Sequence, residues 1–247
     1  MRALVTNDDG IDAPGLATLV QAASEHGLDV VVAAPVDESS GSSASLFFVG
    51  ENGQMLLEQR RVAGFDAPAY AVGAQPAFIV FSAMQGAFGD PPDLVLSGVN
   101  HGPNLGHAVL HSGTVGAAVT AVNHGRRALA VSTERGTEAA FAASMPLVRR
   151  ALDWLVEGSY HTVLNLNVPD PADGAAPELR QAELAPFGAV QATIDTGEGF
   201  AKVTVDPIEA EAEPGTDVAL LAKGYATVTP LCPVQAAADV DLRDLVG

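Results

Sequence analysis

A short apolar run that ends abruptly in acid constrains this chain more than any other feature. Ala3, Leu4 and Val5 are followed almost at once by Asn7-Asp8-Asp9-Gly10. Such a run suits a buried strand. Gly10 allows a tight turn, and Pro14-Gly15 marks a second one before a helix-like stretch. Leu16, Leu19, Val20 and Ala23 recur at helical spacing through His26, and Gly27 is placed to stop the helix. Val30 to Ala34 then reads as a second strand, rich in β-branched residues. A strand–helix–strand opening of this kind predicts a parallel α/β architecture. No GxGxxG follows the first strand, so the dinucleotide-binding fingerprint is absent.

This opening puts two adjacent carboxylates just past the carboxyl end of an inner strand, the edge where open α/β sheets bind ligands. Like charges side by side repel, and a bound cation relieves them. The functional reading is a divalent metal held by Asp8 and Asp9. The plain alternative is an acidic turn facing solvent, an ordinary loop composition.

The pattern repeats along the chain. Pro35 ends the second strand, and Val36-Asp37-Glu38-Ser39-Ser40-Gly41-Ser42-Ser43 follows as a polar loop. Leu46 to Val49 reads as a strand, Glu51-Asn52-Gly53 as a turn, and Tyr70 to Val72 as another short strand. Phe78 to Phe88 has helical character and is halted by Pro91-Pro92. Asp93 to Leu96 is the next inner strand, running into a loop, Ser97 to Gly106, crowded with Asn100, His101 and Asn104. An asparagine offers a neutral oxygen to a hard cation or an N–H to a phosphoryl oxygen. His111-Ser112-Gly113-Thr114 leads into a small-residue helix, Val115 to Val122, with Ser112 or Thr114 placed to cap it. Free amides at that start favour an anion, whereas a routine cap needs no ligand.

Ala128 to Ser132 reads as a strand, Ala139 to Val156 as a long helix, and Thr162 to Asn167 as a strand closed by prolines. Beyond about residue 172 the composition turns polar and β-like. Val190–Ile194 and Lys202–Ile208 are placed to pair across Gly197–Gly199. Asp217–Lys223 suits a helix and Tyr225–Leu231 a strand. Asp206, Glu209, Glu211 and Glu213 read as a solvated acidic face, and His26, His124 and His161 have no assigned role. The fold class expected is therefore α/β. It is a three-layer core with a mostly parallel sheet over residues 1–171. A C-terminal extension, 172–247, carries a β-hairpin and packs partly on the core.

Charge narrows the partners. Twelve Lys and Arg stand against 30 Asp and Glu in 247 residues, a net charge of −18. Such a surface repels nucleic-acid polymers and anionic membranes. A phosphorylated substrate is repelled too, unless a metal and backbone donors act locally. The lone cysteine, Cys232, excludes an internal disulfide framework and fits a reducing compartment. No apolar run reaches membrane-spanning length, and Asn7-Asp8-Asp9 interrupts any leader-like start. The expectation is a soluble cytoplasmic protein with no membrane partner.

Polar strand ends at Asp8–Asp9, Ser40, Asn100–Asn104 and Ser112–Thr114 are placed to meet in one crevice. Carboxylate, amide and hydroxyl oxygens are what Mg²⁺ or Mn²⁺ prefers, and the combination points to phosphoryl transfer.

The same segments, taken in order, resemble the SurE 5'/3'-nucleotidase family, the survival-protein E phosphatases. The matches are Thr6-Asn7-Asp8-Asp9-Gly10 with Ala13-Pro14-Gly15, and Ala34-Pro35 with Ser40-Gly41. They continue in Pro92-Asp93 with Ser97-Gly98-Val99-Asn100, and in Gly102-Pro103-Asn104-Leu105-Gly106. Ser112-Gly113-Thr114-Val115 and Gly224-Tyr225 with Thr229-Pro230-Leu231 complete the set. The resemblance implies a Rossmann-like core, a divalent-metal phosphohydrolase, nucleoside monophosphate substrates and a homodimer or homotetramer assembled with help from the C-terminal extension. It places the metal ligands on Asp8, Asp9, Ser40 and Asn100, with one Mg²⁺ or Mn²⁺ per subunit. Ser40 matches because it directly precedes Gly41. Asn104, Ser112, Gly113 and Thr114 are implied as the phosphate-facing side. Asp8 or Asp9 is implied to orient or deprotonate the attacking water, and His111 is a candidate acid.

The chain also departs from the family pattern. Asp37-Glu38-Ser39 stands where basic or amide residues are usual, and Ala74 to Phe78 replaces a distinct segment. Val119 to Val122 lacks the usual acidic residue, and Cys232-Pro233 replaces a histidine region. These departures bear on substrate preference and assembly. Two alternatives stand beside the nucleotidase reading: a broad phosphomonoesterase or exopolyphosphatase, and a non-catalytic metal- or nucleotide-binding homologue.

Overall fold

The apolar runs become strands and the 3.6-period stretches become helices, in alternation. The first half comprises β1 (Arg2–Thr6), α1 (Pro14–Glu25), β2 (Asp29–Pro35), β3 (Gly50–Glu51), β4 (Gln54–Met55), β5 (Leu57–Arg60), β6 (Ala69–Val72), α2 (Pro76–Met84) and β7 (Leu94–His101). The second comprises α3 (Gly113–Asn123), β8 (Arg127–Thr133), α4 (Glu138–Glu157), β9 (Val163–Val168), β10 (Leu179–Gln181), β11 (Val190–Gly197), β12 (Phe200–Pro207), α5 (Asp217–Leu221) and β13 (Ala226–Leu231). A 3₁₀ turn, Gly106–His111, precedes α3. The computed structural model describes residues 1–158, 162–171, 175–187, 190–207, 212–232, 234–237 and 243.

Nine strands form one sheet in the order β10-β13-β9-β8-β7-β1-β2-β6-β5. Neighbours are parallel except β5 with β6 and β9 with β13. Alternation along each strand sends side chains to opposite faces, so the sheet needs cover on both. Val5, Val32, Leu96 and Val131 pack with Leu16, Leu19, Leu152 and Leu155 of α1 and α4. Leu4, Val31, Val95 and Ala130 pack with Ile79, Val80, Val115 and Ala118 of α2 and α3. These two cores make a three-layer α/β protein, as the sequence pattern predicts.

β1 lies near the middle of the sheet, with β2 on one side and β7 on the other. The chain leaves β1 toward β2 and later returns to β7, which creates a topological switch point at the carboxyl end of β1. Asp8 and Asp9 are placed there.

Two local expectations are corrected. Leu46–Val49 is not a strand. It makes one isolated bridge, Phe48 to Ala74, and Leu46, Phe47 and Val49 are exposed, so no apolar face holds a strand in register. The segment from Ser97 to His101, read as loop, belongs to β7, whose pairing with β8 is irregular between Ser97 and Asn100. The expected strand at Tyr225–Leu231 forms as β13 and enters the main sheet between β9 and β10. The turn at Asn52-Gly53 does form, with φ of 54° and 75° at its two central residues. β11 and β12 pair as the expected hairpin across Gly197 and Phe200. His26 meets Asp153 at 3.0 Å, and His124 lies against Phe81. Cys232 is an exposed free thiol. Ile208, Glu209, Glu211, His161 and Pro233, and the side chain of Asp206, lie outside the described residues.

Candidate active site at the carboxyl end of β1

The acidic turn is closed by its own backbone and tied to the loop after β2. Asn7 Nδ2 donates to the Gly10 carbonyl at 2.8 Å, and Gly10 takes φ of 99°, a conformation that suits glycine. Ile11 N donates to the Pro35 carbonyl at 2.9 Å, and Ser39 N donates to the Asp8 carbonyl at 2.7 Å. The Ser39–Ser40 segment is thereby placed beside Asp8. Ser40 Oγ donates to Glu38 Oε1 at 2.8 Å, which leaves the lone pairs of its oxygen available.

Asp8 faces the start of α3. Its residue is only 3% exposed, and the Thr114 hydroxyl donates to Oδ1. The Thr114 amide supports the same carboxylate. Gly113 makes this approach possible: a Cβ there would stand 2.6 Å from Ser42 Oγ and 2.8 Å from Asp8 Oδ2. Ser112 is the N-cap, accepting from Val115 N at 3.1 Å. The amides of a helix start favour a carboxylate.

Asp9 faces β7, and His101 N donates to its Oδ2 at 3.3 Å. Asn100, beside it, donates Nδ2 to the Gly102 carbonyl at 2.6 Å. Its amide oxygen is then the end left to meet another partner.

Electrostatics at this point are unbalanced. Burial pushes the Asp8 carboxyl above its ordinary value despite Thr114, and the Glu38 charge adds to the rise. Burial, then the Asp8 charge, pushes Asp9 up to about 6. A cleft of about 460 Å³ opens from Asp9, with Asp12, Asp37, Glu38, Val99, His101 and Phe141 among its walls and no Lys or Arg among the described residues that line it.

The hydrogen bonds thus gather Asp8, Asp9, Ser40, Asn100, Gly113 and Thr114 at one crevice, directly or through an adjoining residue. Asn104 is held differently. Its main-chain N donates to Asn167 Oδ1 at 2.8 Å and its Nδ2 donates to Ser132 Oγ at 2.8 Å. Its carbonyl accepts from Asn165 Nδ2 at 2.9 Å and Asn167 Nδ2 at 3.0 Å. Asn104 is therefore anchored over β8 and β9. His111 is exposed at the end of the 3₁₀ turn, where its carbonyl accepts from Ser43 N at 3.2 Å.

Sequence reasoning missed Ser132, Asn165, Asn167 and Asp217. The first three are buried at 0% exposure, and Asp217 likewise. Two asparagines at alternate positions of an apolar strand, Val163-Leu-Asn-Leu-Asn-Val168, were the available signal, because they share one face.

The donor set suits a hard divalent cation. Among the described residues no three His, Cys, Asp or Glu side chains form a metal-holding group. Two carboxylates with a hydroxyl and an amide oxygen provide oxygen-only ligation of the kind Mg²⁺ and Mn²⁺ accept.

A three-layer α/β sheet with a carboxylate pair at its topological switch point defines a strand-end ligand-binding protein of the open α/β class. Residues 3–192 match the sequence profile of the family described as Survival protein SurE. The chain belongs to the SurE family. It is 35% identical to the 5'-nucleotidase SurE of Methanospirillum hungatei, over 98% of this chain and 90% of that protein. It is 36% identical to the 5'-nucleotidase SurE of Rhodopirellula baltica, over 94% of this chain and 92% of that protein. The crystal structure of the SurE protein from Aquifex aeolicus superposes with a TM-score of 0.76 at 28% identity, covering 100% of this chain and 98% of that one.

Proposed function

We propose that this protein is a metal-dependent 5'-nucleotidase, releasing phosphate from nucleoside 5'-monophosphates and also acting on 3'-monophosphates. The observation that carries this reading is the mutually repelling pair of the buried Asp8 and the partly buried Asp9, which opens on a cleft with no cationic side chain among its described walls. Such a pair opposes a phosphate dianion unless a divalent cation is present. Membership of the SurE family and the 5'-nucleotidase names of its relatives support the choice of substrate.

Asp8, Asp9, Ser40 and Asn100 would hold the cation, Mg²⁺ or Mn²⁺. When bound, it supplies Lewis acidity toward phosphoryl oxygen and lowers the pKa of water. Thr114 and the start of α3 fix Asp8, and the His101 amide fixes Asp9. Water attacks phosphorus in line with the ester oxygen, and Asp9 orients it and takes its proton. The P–O ester bond breaks, the nucleoside oxygen takes a proton from solvent, and orthophosphate leaves. Gly113 and the neighbouring amides, with Ser112 and Thr114 beside them, form the phosphate-facing side, and Asn104 contributes to it from the loop anchored over β8 and β9. The C-terminal region from residue 172 acts as an assembly element in a homodimer or homotetramer, a reading supported by the exposed Ile194, Phe200 and Val203 on the β11–β12 hairpin. No helix among the described residues is long and apolar enough to cross a membrane, and a cytoplasmic location is part of the proposal.

The test is phosphate release from 5'-AMP, 5'-GMP, 3'-AMP and a non-nucleotide ester, with Mn²⁺, Mg²⁺ or a chelator, beside Asp9→Asn. Cation-dependent release from the 5'-nucleotides, lowered at least a hundredfold by Asp9→Asn (about 3 kcal/mol), is expected. Chelator-resistant turnover unaffected by the substitution would refute the mechanism.

A further inference from the structure

The connection between β7 and α3, a short loop followed by the 3₁₀ turn Gly106–His111, joins Asn100 at one end to Ser112-Gly113-Thr114 at the other. Free loops of this length are mobile unless their polar backbone groups are tied. This one is tied from below. Asn167 both donates to the Asn104 carbonyl and accepts from the Asn104 amide, at 3.0 and 2.8 Å. Asn165 adds a second donor to the same carbonyl at 2.9 Å. Two residues on, Gly106 N donates to Asp217 Oδ2 at 2.8 Å, and His107 N donates to the Ala185 carbonyl at 3.1 Å. Asn165, Asn167 and Asp217 are all fully buried. Burying three such side chains in a sheet and helix end is costly unless each meets partners. Asn165 and Asn167 meet the main chain of Asn104, and Asp217 meets Gly106 N together with the amides of Ala185 and Val218.

We propose that Asn165 and Asn167 are positioning residues for phosphate binding: they hold Asn104, and through it the 102–107 loop, in the register that presents Asn100 and the start of α3 on the two sides of the crevice. This rests on the reading of that crevice as a phosphate site. Neither asparagine touches the carboxylate pair through a hydrogen bond among the described residues, so they act through Asn104. The arrangement is two-sided. Asn167 uses its oxygen and its nitrogen on adjacent main-chain groups of one residue. An aspartate there keeps the acceptor for Asn104 N but loses the donor to Asn104 O, and it sets a carboxylate oxygen against that carbonyl. Alanine loses both. The two substitutions therefore separate a general need for a filled site from a need for this bonding pattern. Thr227 provides the control. It pairs in register with Asn167 across β13 and β9 and is equally buried, but its hydroxyl has no partner among the described residues.

The experiment measures kcat and KM for AMP, the inhibition constant of inorganic phosphate, and the half-saturating Mn²⁺ concentration. The proteins are wild type, Asn167→Ala, Asn167→Asp, Asn165→Ala and Thr227→Val. KM and the phosphate inhibition constant are expected to rise about tenfold in each asparagine variant, the scale of one or two lost hydrogen bonds. Half-saturating Mn²⁺ is expected to stay within about twofold, and Thr227→Val to stay near wild type on every constant. Phosphate affinity unchanged in folded Asn167→Asp, or lowered equally in Thr227→Val, overturns the proposal. If Asn167→Ala does not fold, Asn167→Asp and Asn165→Ala give the same decision. A wild-type protein that releases no phosphate removes the nucleotidase reading itself, and with it the role given to these residues. An active wild type with indifferent asparagine variants removes only this inference.

Discussion

The Thr114 hydroxyl donates to Oδ1 of Asp8, so the first turn of α3 and the end of β1 are joined by one buried hydrogen bond. It holds the more buried carboxylate in a fixed orientation while burial raises its pKa. Thr114→Val keeps the volume and removes the donor. A hydrogen bond to a charged group is worth about 1.5–3 kcal/mol, so the half-saturating Mn²⁺ concentration is expected to rise at least tenfold. Thr114→Ser, which retains the hydroxyl, stays within a few fold. A Mn²⁺ titration of phosphate release with the three proteins checks this.

Gly113 leaves no room for a side chain. An added methyl would stand 2.6 Å from Ser42 Oγ and 2.9 Å from Asp8 Cβ, and Gly113 is buried. Overpacking of this kind costs about 1–3 kcal/mol, and here it is relieved only by moving Asp8 or the helix start. Gly113→Ala is expected to lower the thermal midpoint by several degrees, on the order of 2–4 °C per kcal/mol for a chain of this size. Activity falls further than stability does, because the atom displaced is a carboxylate of the site. Calorimetry and phosphate release on the same preparation distinguish the two effects.

Much of this arrangement was legible before any coordinates. Runs such as Ala3–Val5, Val30–Ala34 and Ala128–Ser132 are apolar throughout because parallel inner strands are buried on both faces, and their abrupt polar ends mark the ligand edge. That edge alone leaves Asp8 and Asp9 readable as a cation-holding pair or as an acidic turn facing solvent. The position of β13 was not legible, since a strand's partner across dozens of residues leaves no local trace in it. The extension of β7 through Asn100 was hidden because Gly98 and the polar residues around it read as loop. Thr114 looked like one of two interchangeable caps, and only packing shows that Ser112 caps while Thr114 serves Asp8. Asp217 looked like a first-turn acid of a short helix, and its distant partners are invisible in one dimension.

The carboxylate pair makes stability depend on pH and on cations in a definite sense. Asp9 has a folded-state pKa of about 6, above its ordinary value of 3.8. Folding therefore favours its protonated form. That contribution is complete below about pH 4, the unfolded pKa, and is lost as pH rises through about 6. In the cation-free protein, the thermal midpoint is expected to fall between pH 5 and pH 7 relative to Asp9→Asn, which has no such proton to lose. Saturating Mn²⁺ is expected to raise the midpoint more at pH 7 than at pH 5, because the cation competes with the proton for the same oxygens. Thermal scans of chelated and Mn²⁺-loaded protein across that range read both effects. A flat difference between wild type and Asp9→Asn would contradict the assignment.

Asp217 ties three chain segments together by accepting from backbone amides. Gly106 N reaches Oδ2 at 2.8 Å, while Ala185 N at 3.0 Å and Val218 N at 2.9 Å share Oδ1. The residue is fully buried, so water does not replace these bonds if the carboxylate is removed. Asp217→Ala leaves the Gly106 and Ala185 amides unpaired, each at a cost of about 1–3 kcal/mol. The expected loss is about 2–5 kcal/mol, large against the stability of a single domain. Asp217→Asn keeps one acceptor oxygen and turns the other end into a donor facing an N–H, so it is expected to fall between the alanine variant and wild type. Urea unfolding with a common slope measures the difference. Because Gly106 follows Asn104 by two residues, the same variants are expected to weaken phosphate inhibition before they lower the unfolding midpoint into the assay range. If both substitutions left the midpoint unchanged, the C-terminal segment would not be holding the 102–107 loop.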